Sequence, residues 1–204
     1  MRRILDKARD GETLVIATHN KGKLREINEL IVPYGFTAVS VADLGLPEPV
    51  EDGTTYIENA RIKALAAATA SGKPALADDS GISVDALHGA PGIFSARWAV
   101  DKDFGTAMQR VEEELAWRGA LSEPKAHFVS ALTIAWPDGH MEDFEGTVHG
   151  TLSFPPRGSL GFGYDPIFIA DGQTQTFGEI DPSKKNAMSH RADAFKQLSA
   201  ACLV

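Results

Sequence analysis

The sequence predicts an α/β protein with a mixed sheet, folded as two lobes with a cleft between them. An apolar run at residues 14–17 leads directly into a helical pattern, which is typical of a strand–loop–helix start. A second helical segment, rich in alanine, precedes another short apolar run at 75–77. Two further strand-like segments flank Pro-Asp-Gly at 137–139, as in a β-hairpin. A hairpin beside strand–helix units indicates a mixed sheet instead of a regular doubly wound one.

Strands and helices of the first half can be placed from apolar runs and capping residues. Thr55 and Glu58 match a capping box at the start of the alanine-rich helix, and Gly72 is a typical helix end. The predicted elements are strands at 14–18, 37–41 and 75–77, the last ending at the Asp78-Asp79 pair, and helices at 24–31 and 55–72.

The second half contains the longest predicted strand. Phe128, Leu132 and Ile134 recur with period two, so they share one face of a strand. Ser189 is a typical N-cap for a last helix. The predicted elements are a helix at about 105–118, a hairpin of strands at 127–136 and 141–152, and a helix at 190–202.

Composition places the chain among soluble globular proteins. Its 204 residues suit a single domain over 1–204 with a sizeable core, and residues 1–12 form an N-terminal extension without an assigned role. The hydrophobic fraction of 43% and the charged fraction of 24% are ordinary. Twenty Lys and Arg residues against 28 Asp and Glu residues give a net charge of -8. This balance disfavours nucleic acid as a partner but permits a local site for a small anion.

Cysteine usage and hydropathy bear on the compartment. Cys202 is the single cysteine and cannot form an internal disulfide, which indicates a reducing, cytoplasmic setting. No apolar run approaches the roughly 18–20 residues that span a bilayer, so no membrane partner is expected. The first residues include arginines but no apolar signal-peptide core, so no signal peptide is expected.

The loop between the first strand and the first helix has the composition of an anion site. Residues 18–23, Thr-His-Asn-Lys-Gly-Lys, combine two cations with small polar groups at a helix N-terminus, where backbone N–H groups and the helix dipole favour negative charge. The loop lacks the GxxxxGK[ST] phosphate-loop pattern. A solvated turn with two lysines is the alternative.

The adjacent carboxylates of Asp78 and Asp79 follow an apolar strand, where ligands bind in α/β proteins. Neighbouring strand residues point to opposite faces, so the two carboxylates are expected to have different roles. Oxygen ligands of this type suit Mg²⁺, which is usually held by one or two carboxylates and substrate phosphates. The alternative is an aspartate that caps a helix or forms a turn.

Two later segments complete a set of candidate ligand groups. In residues 161–168, Gly-Phe-Gly-Tyr-Asp-Pro-Ile-Phe, an aromatic between glycines can stack on a base, although Phe and Tyr can equally be core residues. Lys185, Ser189, His190 and Arg191 cluster at a predicted helix start. Cations there oppose the helix dipole, so the arrangement favours a nearby anion or hydrogen-bond acceptor. A lone histidine is more often structural.

Five ordered motifs together resemble the inosine triphosphate pyrophosphatase family, also called the dITP/XTP pyrophosphatase or Ham1-like family. They are ATHNKGKLREI (17–27), IENARIKA (57–64), LADDSGISVDALHGAPGIFSAR (76–97), GFGYDPIF (161–168) and KNAMSHR (185–191). The resemblance implies an elongated mixed α/β fold, two lobes around a central nucleotide-binding cleft, and a homodimer. It further implies hydrolysis of non-standard purine nucleoside triphosphates (ITP, dITP, XTP) to the monophosphate and pyrophosphate, with Mg²⁺ as cofactor.

The resemblance also assigns roles to individual residues. Asp79 matches the catalytic carboxylate that accepts a proton, and Glu51 and Asp79 match metal ligands. The implied substrate-binding residues are Thr18, His19, Asn20, Lys21, Gly22, Lys23, Lys63, Ser80, Phe162, Gly163, Tyr164, Asp165, Lys185, His190 and Arg191. Within the loop, Asn20 and Lys23 are expected to contact phosphate, whereas Lys21 is expected to be solvated.

Three hypotheses therefore remain open on the sequence. In the first, Asp79 takes the proton of a water that attacks the α-phosphorus, and Lys23 and Lys63 stabilise the leaving pyrophosphate. The second is a nucleoside triphosphate pyrophosphatase of another specificity. The third is a nucleotide sensor without hydrolysis, which would not need Asp79.

Overall fold

In the computed structural model, which describes residues 2–203, six strands form one mixed sheet in the order β2-β1-β3-β4-β5-β6. The strands are β1 Thr13–Ile16, β2 Thr37–Ser40, β3 Ala75–Val84, β4 Lys125–Ala135, β5 Met141–Leu152 and β6 Phe168–Ala170. The α-helices are α1 Lys7–Asp10, α2 Lys21–Ile31, α3 Tyr56–Ser71, α4 Phe104–Trp117, α5 Pro182–Met188 and α6 His190–Cys202. Short 3-10 segments connect them.

Both kinds of strand pairing occur in this sheet. β1 is parallel to β2 and to β3, whereas β5 is antiparallel to β6. In the β1 pairings, Ile16 lies opposite Ser40 on one side and Leu76 on the other. The loop after β1 and the residues after Leu76 therefore leave the same edge of the sheet. The predicted mixed α/β fold is confirmed.

The chain divides into two compact units. Within the described residues, the first unit comprises 2–79, 130–146 and 191–203, and the second comprises 80–129 and 147–190. β3, β4 and β5 each contribute residues to both units.

The first unit has two clusters of buried side chains. One joins β1 and α2 to α6, with Ile16, Ile27 and Phe195 among its members. The other packs small residues, with the buried alanines of α3 against Val15 and Ala131. Alanine side chains allow α3 to approach the sheet closely, so polar groups on the same helix face lie near β3.

In the second unit, one cluster packs α4 against β3, β4 and β6. Its centre is aromatic: the rings of Phe128 and Phe168 have centroids 4.7 Å apart, and Phe168 and Phe177 are 5.1 Å apart. Edge-to-face rings of this kind add specific attraction to burial.

Local signals predicted several elements well. Thr55 Oγ1 accepts the Glu58 N–H at 3.1 Å, and a Glu58 oxygen accepts the Thr55 N–H at 3.2 Å, so the capping box is confirmed. Gly72 ends α3 with a φ of 67°. The hairpin is also confirmed, because β4 and β5 are adjacent and the Trp136 N–H donates to the His140 carbonyl.

Other boundaries were predicted wrongly. β3 does not end at residue 77 but continues through the Asp78-Asp79 pair to Val84, because protein groups neutralise both carboxylates within the strand. α2 begins at Lys21 and not at Leu24, because Asn20 caps it. Helices α1 and α5 were not predicted, although Asp181 and Pro182 are typical residues for the start of α5.

No helix among residues 2–203 combines the length and the apolar character needed to cross a membrane.

Candidate active site

The loop after β1 is held by its own polar side chains. Asn20 Oδ1 accepts the N–H groups of Gly22 and Lys23 at 2.8 and 3.1 Å, and Thr18 Oγ1 accepts the Asn20 N–H at 3.1 Å. Two of the helix N–H groups expected to meet an anion are therefore already bonded to Asn20. An anion at this loop would therefore meet mainly the charge of the lysine side chains.

The two lysines of this loop differ in exposure. Lys21 is exposed, whereas the Lys23 side chain is 15% exposed and its Nζ lies 2.9 Å from Asp78 Oδ1. His19 is also exposed, with Nδ1 3.8 Å from a Glu48 oxygen. His19, Glu48 and Lys63 contribute to the lining of a cavity of about 120 Å³.

Asp78 is the fully buried centre of an ionic network in the first unit. Its Oδ2 accepts Nε of Arg191 and the hydroxyl of Ser130, both at 2.8 Å. Arg191 also forms a short ion pair with Glu26. Burial raises the pKa of the Asp78 carboxyl, but the charges of Arg191 and Lys23 outweigh it and hold that pKa well below its usual value.

Asp79 belongs to a second ionic cluster. Its Oδ1 accepts Nζ of Lys63 at 2.7 Å, and the same Nζ lies 3.3 Å from Glu51 Oε1. Asn59, one helical turn before Lys63 on α3, places its amide nitrogen 3.5 Å from the second Asp79 oxygen. Asp78 and Asp79 therefore have separate partners, as the alternation of a strand predicts.

The pKa values of the Asp79 cluster follow from burial and proximity. Burial raises the pKa of the Asp79 carboxyl, and the charge of Glu51 adds to this effect, so its pKa lies above the usual value despite Lys63. Burial lowers the pKa of Lys63, but the charges of Asp79 and Glu51 outweigh this effect and raise that pKa above its usual value. Lys63 is therefore a charged ammonium at neutral pH.

In the second unit, Asp165 closes the glycine-rich loop. One oxygen of its buried carboxylate accepts the Phe162 N–H at 2.8 Å and Nζ of Lys185 at 2.6 Å. The same ammonium lies 4.7 Å from the centroid of the half-buried Phe162 ring. Gly161 and Gly163 adopt φ values of 73° and 67°, which favour glycine.

The remaining predicted residues of the second unit are largely enclosed. Tyr164 is buried, and its hydroxyl donates to the Ser95 carbonyl at 2.8 Å, as a core residue would. His190 is buried and stacks on Phe128, with centroids 4.9 Å apart. Ser80 lies on β3 directly after Asp79 and is partly buried.

The cluster expected at one helix start is divided in the structure. Lys185 lies inside α5 and pairs with Asp165, whereas Arg191 is the second residue of α6 and pairs with Asp78 and Glu26. The expectation that a cation here requires a nearby acceptor is met by protein carboxylates in each case.

Three polar partners were absent from the sequence-based prediction. Glu26, Asn59 and Ser130 are buried and bonded to Arg191, Asp79 and Asp78 respectively. Glu26 and Asn59 each lie three or four residues from a predicted lysine on the same helix, a spacing that places them on one face. Ser130 gave no signal beyond a hydroxyl inside an apolar strand.

Two neighbouring carboxylates offer oxygen ligands of the type that a divalent ion prefers. Among the described residues, no group of three or more His, Cys, Asp or Glu side chains could hold a metal. Glu51 and Asp79 nevertheless both contact the Lys63 ammonium, and their side chains are 26% and 9% exposed. Two carboxylates fit Mg²⁺, which completes its coordination with water and substrate phosphates.

Fold and site together define a class: a mixed α/β protein in which buried carboxylates of β3 pair with lysines of α2 and α3. Comparisons with known proteins give the family. The Ham1 family model matches residues 14–201, so the chain belongs to the Ham1 family.

Curated relatives and a solved structure agree with this assignment. A dITP/XTP pyrophosphatase of Rhodospirillum centenum is 61% identical over 94% of this chain and 95% of its own length. The dITP/XTP pyrophosphatase of Zymomonas mobilis is 60% identical over 93% and 91%. A HAM1 protein structure from Coxiella burnetii superposes with a TM-score of 0.83 at 38% identity, covering 92% of this chain and 96% of that one.

Proposed function

We propose that this protein hydrolyses non-standard purine nucleoside triphosphates such as dITP, XTP and ITP to the monophosphate and pyrophosphate. Such hydrolysis prevents their incorporation into nucleic acid. Membership of the Ham1 family and relatives that are dITP/XTP pyrophosphatases support this activity. The structural observation that carries the proposal is the Asp79–Lys63–Glu51 cluster, since it joins a basic carboxylate to a charged ammonium beside a second carboxylate.

In the proposed mechanism, Asp79 accepts the proton of the water that attacks the α-phosphorus. A carboxylate with a raised pKa is a stronger base than an ordinary aspartate, which suits this role. Lys63 and Lys23 are the cations that would stabilise the charge that develops on the leaving pyrophosphate. The Asp78 carboxylate holds the Lys23 ammonium through a 2.9 Å contact, so this cation would need little reorganisation to act.

We further propose that Glu51 and Asp79 hold Mg²⁺. When bound there, the ion supplies positive charge to the phosphate oxygens and acidity to a coordinated water. The hard oxygen atoms of the two carboxylates support this choice of metal.

Base selection is proposed to depend on groups that donate to a 6-oxo oxygen. Donors of His190 or the backbone of loop 162–165 would pair with the oxo group of hypoxanthine or xanthine, whereas the predicted contact of Arg191 would require it to leave Asp78 and Glu26. Adenine presents a 6-amino group instead, and its binding would leave these donors unpaired, which discriminates strongly. The Phe162 ring is the proposed stacking surface.

The protein is proposed to act as a homodimer in the cytoplasm. A single cysteine, which cannot form an internal disulfide, suits a reducing compartment. Sedimentation velocity at several concentrations would test the dimer.

One assay tests the proposed activity. The purified protein is incubated with ITP, XTP, GTP, ATP or dUTP, with and without Mg²⁺, and pyrophosphate and orthophosphate are measured separately. We expect pyrophosphate from ITP and XTP, dependent on Mg²⁺, and much less from ATP. Equal turnover of ATP and ITP would favour a pyrophosphatase of broader specificity, and orthophosphate would favour a phosphatase. Binding without turnover would favour a sensor.

A further inference from the structure

The Lys63 ammonium contacts both of the carboxylates that we propose as metal ligands. Its Nζ contacts Asp79 Oδ1 at 2.7 Å and Glu51 Oε1 at 3.3 Å, so a single ammonium bridges the pair. The Lys63 and Asp79 side chains are 8% and 9% exposed. This ammonium is therefore the counter-ion of the site before any ligand arrives, and it is shielded from most of the solvent.

Helix α3 fixes Lys63 in this position. Asn59 precedes it by four residues, and both side chains reach the Asp79 carboxylate from the same helix face. The backbones of Asn59 and Lys63 belong to a helix whose alanines are packed on the sheet. Because the helix backbone is held in this way, the ammonium would leave Asp79 by rotation of the flexible lysine side chain.

A divalent cation and the ammonium compete for the same negative charge. Two cations on one carboxylate pair repel each other, and burial strengthens that repulsion because little water screens it. Binding of the metal alone would therefore repel the Lys63 ammonium from Asp79 and Glu51. A buried ammonium without an anionic partner is strongly unfavourable, so the metal alone should bind weakly.

A nucleoside triphosphate changes this balance. Its phosphate oxygens offer the displaced ammonium a new anionic partner and offer the metal further oxygen ligands. The metal and the nucleotide then favour each other's binding, and by thermodynamic linkage the effect is reciprocal.

We propose that Lys63 holds the Glu51–Asp79 pair closed to divalent cations until a nucleotide arrives, so that metal binding is coupled to substrate binding through this side chain. The proposal rests on the function given above, which identifies the nucleotide and the two metal-binding carboxylates. It assigns Lys63 a second role besides its contact with phosphate, that of a gate on the metal site.

The test measures Mn²⁺ binding by electron paramagnetic resonance, with and without an ITP analogue whose α–β bridge is a methylene group. The variant is Lys63→Met, which keeps a side chain of similar length without charge. Lys73→Met, which removes the charge of an exposed lysine just beyond α3, is the matched control. Circular dichroism and denaturant unfolding check that each variant is folded.

We expect Lys63→Met to bind Mn²⁺ in the absence of nucleotide at least tenfold more tightly than the wild type and the Lys73→Met control. The gain in Mn²⁺ affinity caused by the analogue should be correspondingly smaller in Lys63→Met. Equal or weaker binding of Mn²⁺ by Lys63→Met would overturn the proposal. If Lys63→Met does not fold, the wild type still decides, because tight Mn²⁺ binding that the analogue leaves unchanged also overturns it.

Failure of this inference can be distinguished from failure of the proposed function. Pyrophosphate release from ITP by the wild type, together with unchanged Mn²⁺ affinity in Lys63→Met, would overturn the gate and leave the function standing. Absence of pyrophosphate release from every nucleotide would overturn the function, whereas the Mn²⁺ titration would still report on the carboxylate pair.

Discussion

Asp78 and Asp79 are consecutive residues of β3, yet their carboxyl groups have pKa values displaced in opposite directions. Asp78 is surrounded by Arg191, Lys23 and Ser130 and is held ionised. Asp79 shares Lys63 with Glu51, and burial makes its carboxylate more basic than usual. One strand thus presents an ionised carboxylate in a buried ionic network on one face and a carboxylate of raised pKa on the other.

The role of Asp79 can be tested by Asp79→Asn. The amide keeps the shape of the side chain but cannot accept the proton, so we expect pyrophosphate release from ITP to fall by about 10²–10⁴-fold. Asp52→Asn, at an exposed position next to Glu51, is the control and should retain near-normal turnover. Normal turnover in Asp79→Asn would remove Asp79 from the mechanism.

The role of Asp78 can be tested through stability. Asp78→Asn removes the buried anion that Lys23 and Arg191 share and leaves Arg191 with Glu26 alone, so we expect the free energy of unfolding at neutral pH to fall by about 3–5 kcal/mol. A carboxyl whose folded pKa is depressed stabilises the fold above its unfolded pKa and loses this contribution as the pH falls through the folded value. The difference from the wild type should therefore shrink below about pH 4.

Urea denaturation of both proteins between pH 7 and pH 3 provides the measurement. Asp52→Asn again serves as the control, with an expected change within about 0.5 kcal/mol. A difference between Asp78→Asn and the wild type that stays constant across this range would argue against an ionised Asp78 in the fold.

At the scale of elements, the glycine-rich loop before β6 depends on a side chain as much as on its glycines. Asp165 bonds to the Phe162 N–H and to Lys185, and this ties the loop to α5. Lys185 in turn lies under the Phe162 ring. Asp165 and Lys185, which the sequence predicts to contact the nucleotide, therefore also hold the Phe162 ring in place.

Two glycines of this loop make a matched pair of variants. Gly161→Ala and Gly163→Ala both place a Cβ at positive φ, which costs roughly 1–2 kcal/mol. A Cβ at Gly161 would also overlap the Asp165 carboxylate, whereas one at Gly163 meets only Phe104 at 3.8 Å. We expect Gly161→Ala to destabilise the protein more and to raise the KM for ITP more strongly.

Denaturant unfolding and steady-state kinetics measure the two effects. If Gly163→Ala proves at least as damaging as Gly161→Ala on both, the Asp165 contact does not organise the loop.

At the scale of the whole molecule, residues 2–12 of the N-terminal extension belong to the first unit. The Leu5 N–H donates to the Cys202 carbonyl at 2.8 Å, which connects the start of the chain to the end of α6. Arg3 donates to Asp138 and packs on the ring of Trp136 beside the hairpin turn. Residues without a recognisable motif thus complete a core that includes β1, α2 and α6.

Leu5→Ala tests this contribution, with its neighbour as the control. Leu5 is 4% exposed and Ile4 is 47% exposed, so only the first substitution leaves a cavity. We expect Leu5→Ala to lower the free energy of unfolding by about 2–5 kcal/mol, and Ile4→Ala to change it by much less. Urea denaturation at neutral pH is the measurement. Equal small effects would show that the extension is not part of the folded core.

The sequence by itself determined those features that depend on local chemistry. The capping box at Thr55, the glycine end of α3 and the turn of the hairpin were predicted because each involves residues a few positions apart. The five ordered motifs indicated the family, since residue types at fixed spacings are what a family shares. The separation of Asp78 and Asp79 between different partners is what strand alternation predicts.

Only the tertiary structure decided which charges pair. Arg191 lies 113 residues from Asp78 and 165 from Glu26, and no periodicity links such positions. Their pairing, and the continuation of β3 through two aspartates, depend on counter-ions supplied by other elements. The Lys63 bridge between Glu51 and Asp79 likewise exists because α3 packs on β3. Ionic interactions depend on distance in space, and only the folded chain sets that distance.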